Sequence, residues 1–222
     1  MIPLCILFLH HNENALTRHH YALIKQFHPA TPVVPLTFNL GLTEAITLSV
    51  SFPKEQDRPE WRNVDRLIYK WFMSDVKIEA ERYLILEGDA LCSMPAIEFY
   101  SEVWDKPASG AQIRTLKTNP KLWVLREVKH PEIYNGCLQA LTPICGIMLS
   151  HDALTAIVTL SQDPNYDCLF SEVRIGTLLA VTDYMPALIC SLIDQYISWN
   201  KRTPIGPGIW HAVKQIYPVN SI

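Results

Sequence analysis

Short apolar runs and stretches of helical periodicity alternate along the first half of the chain. Residues 3–9 form an apolar run, and a polar turn at residues 10–14 separates it from apolar side chains that recur at helical spacing between Leu16 and Phe27. A second apolar run covers residues 32–36. Alternation of this kind is typical of parallel strands joined by crossover helices. The pattern therefore predicts an α/β fold in which helices flank a central, mostly parallel sheet.

The rest of the chain continues this pattern less regularly. A strong helical period spans residues 64–72, and an apolar strand at residues 83–86 stops abruptly at Glu87. Side chains that typically cap helix N-termini are present at Asn14, Ser150 and Ser171. The remaining predicted elements are a helix after Pro95, short strands at 111–113 and 121–125, a strand at 143–149, and a long surface connection over 37–60.

Composition narrows the class of protein. The chain has 222 residues, of which 49% are hydrophobic and 18% charged, with a net charge of −3. These values fit one packed domain over residues 1–222 and argue against binding to nucleic acid or to an anionic membrane. The run at residues 3–9 is too short to be a transmembrane segment, and it lacks the features of a secretion signal. With six scattered cysteines and no Cys-x-x-Cys pair, we expect a cytoplasmic protein with reduced thiols.

Two carboxylates follow the buried strand at residues 83–86. Glu87 and Asp89 are separated by Gly88, and residues at i and i+2 of an extended chain project alike, so both acids could face one ion. Such hard oxygen ligands suit Mg²⁺ or Mn²⁺, which proteins often share with a diphosphate. The alternative is that the two acids only begin a solvated turn.

A second polar segment lies near the end of the sequence. His211 and Lys214 follow a Gly-Pro-Gly segment at residues 206–208. A neutral histidine can ligate a divalent ion, and a lysine can neutralise a phosphate. We expect the segment to fold back across the acidic motif, with Lys214 one helical turn from His211. The alternative is a surface or packed histidine.

Taken together, these segments resemble the GT-A class of nucleotide-sugar glycosyltransferases. The resemblance rests on the strand-terminal Glu87-Gly88-Asp89, which is similar to that class's DxD motif, on the C-terminal His211-x-x-Lys214, and on Glu172 at the start of a late helix. It implies a Rossmann-like GT-A fold and a metal-dependent transfer of sugar from a nucleotide-diphosphate donor to an acceptor hydroxyl of unknown identity.

The resemblance also implies a role for each residue. Asp89 and His211 would ligate Mn²⁺ or Mg²⁺, with Glu87 beside them against the metal or the sugar. Lys214 would contact the diphosphate, and Glu172 would be the catalytic base. The turn His10-His11-Asn12, after the first strand, would hold part of the nucleotide. The first acid of the motif is Glu where the class usually has Asp.

The sequence lacks the signature motifs of several other nucleotide-binding and hydrolytic enzyme classes. The sequence contains no G-x-G-x-x-G after the first strand, no G-x-x-x-x-G-K-[ST] and no G-x-S-x-G, which argues against dinucleotide enzymes, P-loop NTPases and α/β-hydrolases. Two alternatives stay open. One is a sugar nucleotidyltransferase, although that class usually has a glycine-rich basic loop after its first strand. The other is a non-catalytic binding module on the same fold. A helix dipole that favours Glu172 is an equally good structural explanation for that residue.

Overall fold

The computed structural model describes most of the chain, namely residues 1–10, 14–38, 46–48, 62–188, 196–198, 200–201 and 203–217. These residues contain eleven strands: β1 (Ile2–Leu9), β2 (Val33–Thr37), β3 (Ile46–Thr47), β4 (Ala80–Glu87), β5 (Leu91–Cys92), β6 (Ala108–Gly110), β7 (Gln112–Thr115), β8 (Gln139–Thr142), β9 (Met148–Ser150), β10 (Ala187–Leu188) and β11 (Ile209–Trp210). The main helices are α1 (Ala15–Phe27), α2 (Asp65–Phe72), α3 (Ala96–Phe99), α4 (Trp123–Arg126), α5 (His151–Leu160) and α6 (Ser171–Val181).

Seven strands form the central sheet, in the order β10-β6-β9-β4-β1-β2-β3. All neighbouring pairs are parallel except those of β9, which runs antiparallel to both β4 and β6. The central part of β1 and that of β4 are buried throughout, as expected when helices cover both faces of a parallel sheet. The predicted α/β fold class, with a mostly parallel sheet flanked by helices, is confirmed.

The register of the central strands fixes where the site can form. Leu9, the last residue of β1, is opposite Glu87, the last residue of β4, and also opposite Leu36 of β2. Because these strands are parallel, their carboxyl ends meet at one edge of the sheet. Ligands in open α/β sheets bind in the crevice at that edge.

Capping and amphipathic patterning explain several of the helices that flank the sheet. Asn14 begins α1, because its Oδ1 accepts a hydrogen bond from the Thr17 amide at 2.9 Å. Ser150 begins α5 in the same way, with its Oγ 3.1 Å from the Ala153 amide. In α2 the predicted apolar face is buried, and it packs in the largest hydrophobic cluster of the described residues. No helix in the described part of the chain is long and apolar enough to span a membrane.

Several local predictions are wrong. Residues 121–125 contribute to the short helix α4 and not to a strand, since a brief apolar run does not by itself distinguish the two. The strand predicted at residues 143–149 begins only at Met148. Ser171 does not cap α6; Phe170 occupies the N-cap position, and the Ser171 hydroxyl donates instead to Glu172 Oε2.

Three other predictions are changed in part. The helix after Pro95 is a single turn, α3, followed by a 3₁₀ turn at Ser101–Val103. Most of the connection predicted over 37–60 lies outside the described residues, and β3 is a strand within it. The five described cysteines form no disulfide among themselves; the sequence predicts reduced core residues, but Cys168 is exposed.

Candidate functional site

A cavity of about 650 Å³ opens at the carboxyl ends of β1 and β4. Its lining includes six of the eight residues that the sequence singles out: His10, Glu87, Asp89, Glu172, His211 and Lys214. The other two, His11 and Asn12, lie outside the described residues. The structure thus brings together residues that are far apart in sequence, while the role of each stays a prediction.

Residues of α1 contact and support the acidic motif Glu87-Gly88-Asp89. Burial lowers the pKa of His20 to about 4, so its ring is neutral, and Nδ1 lies 3.3 Å from the Gly88 carbonyl, where it can donate a hydrogen bond. A Cβ at Gly88 would lie only 3.3 Å from His10 Cβ and 3.4 Å from the Thr17 side chain. A side chain at residue 88 would therefore require His10 to shift by a few tenths of an ångström.

The tail reaches the site as an extended strand. β11 pairs antiparallel with β5, and beyond it the Val213 amide donates to the Asp89 carbonyl at 2.9 Å. The Ser93 hydroxyl also donates to the Gly208 carbonyl at 3.2 Å. The prediction that Lys214 lies one helical turn from His211 is wrong, because these backbone pairings hold the segment in an extended conformation.

Four side chains meet on the floor of the cavity, and we call Glu87, Asp89, His211 and Lys214 the charged cluster. His211 Nε2 lies 3.1 Å from Glu87 Oε2 and 3.1 Å from Asp89 Oδ1. Lys214 Nζ pairs with the other oxygen of Asp89, Oδ2. The two acids, two residues apart in sequence, therefore converge on one imidazole.

The charges of this cluster are strongly coupled. Burial alone would lower the pKa of His211, but its hydrogen bonds to Asp89 and Glu87, together with their charges, raise it to about 10. Burial would likewise raise the pKa of Asp89, yet the hydrogen bonds and positive charges of His211 and Lys214 hold it well below its usual range. Asp89 is therefore a carboxylate that faces two cations.

The orientation of His211 suits a metal ligand. Its Nδ1 donates a hydrogen bond to the Ser198 carbonyl at 2.8 Å, which leaves Nε2 as the nitrogen aimed at the two acids. Metal-binding histidines are typically fixed by such a bond from the second nitrogen. A divalent cation would take the place of the Nε2 proton, among carboxylate oxygens that suit Mg²⁺ or Mn²⁺. The residues present fit such an ion.

An aromatic wall and a second carboxylate line another part of the cavity. Trp123 and Phe170 pack edge to face, with ring centroids 5.3 Å apart, and both line the cavity with Glu172. Glu172 lies in the first turn of α6 and is only 5% exposed, with its Oε2 accepting from the Ser171 hydroxyl at 3.0 Å. The sequence does not single out Phe170 as a cavity residue, since single aromatic residues are most often core residues.

Arg174 does not belong to this site. Arg174 follows Glu172 by two residues in α6, but it is only 1% exposed and its guanidinium is engaged elsewhere. Nη1 lies 2.6 Å from Asp65 Oδ1, and Nη2 donates to Asn63 Oδ1 at 2.9 Å. Nε donates to the Tyr166 carbonyl at 2.9 Å. All three nitrogens of the guanidinium are thus used in a buried network.

Comparison with known proteins gives a likeness of fold only. No protein-family profile matches the chain, and neither does any curated protein sequence. A crystal structure of the galactosyltransferase LgtC with donor and acceptor sugar analogues is similar at a TM-score of 0.41 and 11% identity, covering 82% of this chain and 72% of that one. An active-site mutant of LgtC is similar at 0.39 and 11%, covering 79% and 69%.

Proposed function

We propose that this chain is a metal-dependent glycosyltransferase that moves a sugar from a nucleotide-diphosphate donor to an acceptor hydroxyl. The observation that supports it best is the convergence of Glu87, Asp89, His211 and Lys214 on the floor of a cavity that Glu172 also lines. Two acids and an oriented imidazole can share one ion, while a separate carboxylate remains for the acceptor.

The charged cluster would bind the donor. A bound Mn²⁺ or Mg²⁺ would neutralise the diphosphate and so assist its departure. Asp89 and His211 Nε2 would hold that ion, with Glu87 next to them. Lys214, whose side chain is 54% exposed, can turn from Asp89 to a phosphate oxygen. His10 at the end of β1 would line the nucleotide side of the cavity.

Glu172 and the aromatic wall would receive the acceptor. Trp123 and Phe170 offer apolar ring surface of the kind on which a sugar ring can pack. Glu172 would take the proton from the acceptor hydroxyl as that oxygen forms the new glycosidic bond and the diphosphate leaves. The Ser171 hydroxyl, which donates to Glu172 Oε2, would orient the carboxylate.

A non-catalytic binding module is the second candidate. It is favoured by the pairing of Asp89 with two positively charged side chains of the protein itself, His211 and Lys214. Such a module would bind a nucleotide-sugar without cleaving it. Metal-dependent hydrolysis of the donor, measured without an acceptor, distinguishes the two candidates.

The decisive experiment is a thermal-shift panel of nucleotide-sugars with Mn²⁺ or with EDTA. A ligand that binds only the folded chain stabilises it by about 2.7 kcal/mol at a concentration one hundred times its Kd. We expect one donor to stabilise the wild type in Mn²⁺ only, and Asp89→Asn to abolish the shift. The matched control is Asp105→Asn, which removes an exposed aspartate paired with Lys106 and should keep the shift. Equal donor affinity in EDTA and in Mn²⁺ would contradict the proposal.

A further inference from the structure

A buried thiol lies beside the charged cluster. Cys145 has no exposed surface, and the loop that carries it is fixed against β4 by backbone pairing. The Gly146 amide donates to the Ile85 carbonyl at 2.7 Å, and the Ile85 amide donates to the Ile147 carbonyl at 2.9 Å. The Tyr100 hydroxyl donates to the Gly146 carbonyl at 2.9 Å. The loop that carries Cys145 is thus anchored to β4 and to Tyr100 by hydrogen bonds.

The thiol forms a compact set of potential ligands with two members of the charged cluster. The Cys145 sulfur, a Glu87 carboxylate oxygen and a His211 ring nitrogen lie within 4.8 Å of one another. In a tetrahedral zinc site with bonds of about 2.0–2.3 Å, ligand atoms are roughly 3.3–3.8 Å apart. Small side-chain rotations would therefore bring the three atoms to a common ion. Among the described residues, no other group of three such side chains comes as close together.

We propose that Cys145, Glu87 and His211 form a binding site for a thiophilic cation, with Zn²⁺ as the ion. A thiolate and an imidazole together favour Zn²⁺, whereas Mg²⁺ and Mn²⁺ prefer oxygen ligands. On binding, bonds form from the ion to sulfur, nitrogen and a carboxylate oxygen, while the Cys145 thiol proton and the His211 Nε2 proton pass to solvent. The fourth coordination position is left for Asp89, water or a ligand in the cavity.

This site has a consequence for the donor site, since both use His211 and Glu87. One imidazole nitrogen cannot ligate two ions at once, so Zn²⁺ would exclude Mn²⁺ and lower the affinity for the donor. That consequence rests on the proposed function. The binding of Zn²⁺ itself does not, because it requires only the three side chains.

The test compares two buried thiols. Calorimetry with Zn²⁺ alone, and the ultraviolet thiolate-to-metal absorption with Cd²⁺, are recorded for Cys145→Ala and for Cys5→Ala. Cys5 is as buried as Cys145 but lies in β1, outside the ligand set. Both variants carry Cys168→Ser, since Cys168 is an exposed thiol. Any other thiol contributes equally to the two proteins.

We expect one Zn²⁺ per chain and the Cd²⁺ absorption in Cys5→Ala. In Cys145→Ala the affinity should fall by at least the roughly 10–100-fold that loss of an outer-shell partner costs in metal sites, and the absorption should disappear. Equal Zn²⁺ affinity in the two variants would overturn the proposal. Melting curves verify that both fold, and Cys145→Ser, which is closer in volume, replaces Cys145→Ala if that variant does not.

Donor binding with Mn²⁺ is then titrated with Zn²⁺ in the same two proteins. Zn²⁺ should displace the donor from Cys5→Ala at lower concentrations than from Cys145→Ala. If neither protein binds a donor, the proposed function fails and the zinc result still stands. If both bind donor and zinc acts on them equally, the transferase proposal survives and the role of Cys145 is refuted.

Discussion

The molecule contains two clusters of charged side chains that differ in how completely their groups are paired. In the first, Arg174 and Asp65 are at most 2% exposed, and the Arg174 guanidinium uses all three of its nitrogens on partners within the protein. In the second, the charged cluster, the side chains of Asp89 and Glu87 keep 18% and 20% of their surface exposed to the cavity. One cluster is closed and the other is open.

The difference indicates which cluster can receive a ligand. A buried ion pair whose hydrogen bonds are complete can exchange no partner without leaving a charge unpaired, so its role is to hold neighbouring elements together. Here it joins α2 to α6. The charged cluster is bounded by solvent on one side, and a ligand can replace Lys214 or the His211 proton there. The two clusters should therefore respond differently to substitution.

The largest expected effect is on turnover, and it concerns Glu172. This residue lines the cavity and lies only two residues before Arg174 in sequence. Glu172→Gln keeps the shape of the side chain but removes the base, so turnover to an acceptor should fall by roughly 10²–10⁴-fold. Donor affinity should stay within a few-fold. Steady-state kinetics with a donor identified in the thermal-shift panel measure both quantities.

A first-turn acid on another helix provides the control for Glu172. Asp152 lies in the first turn of α5 and does not line the cavity. If Glu172 only complements a helix dipole, both Glu172→Gln and Asp152→Asn should cost about 0.3–1 kcal/mol of stability. Turnover would then be normal in both, and the base assignment would be wrong.

The next largest effect is expected in the closed cluster. Arg174→Met leaves the Asp65 carboxylate buried without its partner, and breaking such a pair typically costs about 3–5 kcal/mol. Urea unfolding measures this loss. The affinity of the remaining folded protein for a donor should be nearly unchanged, since Arg174 does not line the cavity.

A double variant distinguishes the unpaired charge from lost packing. Arg174→Met combined with Asp65→Leu removes both charges, and it should recover most of the stability that Arg174→Met loses, because replacing a whole buried pair is often neutral. If Arg174→Met alone lowers the unfolding free energy by less than about 1 kcal/mol, this pair contributes no more than an exposed salt bridge does. The contrast between the clusters would then disappear.

The sequence predicts the fold class and the segments in which periodicity is strong, namely β1, β4, α1 and α2. In these segments the spacing of apolar residues shows directly whether one face or both faces are buried. The middle of the chain is predicted poorly. Residues 123–125 belong to helix α4 and residues 143–147 are not a strand. Short apolar runs there pack against elements that the local sequence does not specify.

The sequence predicts a residue of the site only where neighbouring residues form a recognisable motif. Glu87 and Asp89 end a strand, which a sequence pattern records, whereas Cys145 has no neighbouring motif and is brought to them by the sheet. The role of Arg174 was missed because its partner Asp65 is 109 residues away. Extended pairing of the C-terminal segment with β5 was missed for a different reason, since a strand of two residues has no period to detect.

A smaller effect is expected for the exposed cation of the open cluster. Lys214→Ala should change the unfolding free energy by no more than about 1 kcal/mol, since the lysine side chain of this ion pair is 54% exposed. Donor affinity should fall by about 1.5–3 kcal/mol if Lys214 donates a hydrogen bond to a phosphate. Lys106→Ala is the matched control, because Lys106 is similarly exposed and pairs with Asp105 at 2.9 Å. A donor affinity that is the same in both variants would exclude Lys214 from the donor site.

The smallest effect is expected when two equivalent helix N-caps are removed, one that lines the cavity and one that does not. Asn14 and Ser150 each accept one hydrogen bond from a backbone amide three residues on, at 2.9 and 3.1 Å, so Asn14→Ala and Ser150→Ala should each cost about 1 kcal/mol. Only Asn14 lines the cavity. Since its cap bond fixes the first turn of α1, where Thr17 also lines the cavity, Asn14→Ala should weaken donor binding a few-fold while Ser150→Ala leaves it unchanged. Paired melting curves and donor titrations measure both effects. Equal donor affinity at equal stability loss would mean that α1 supports the sheet but takes no part in binding.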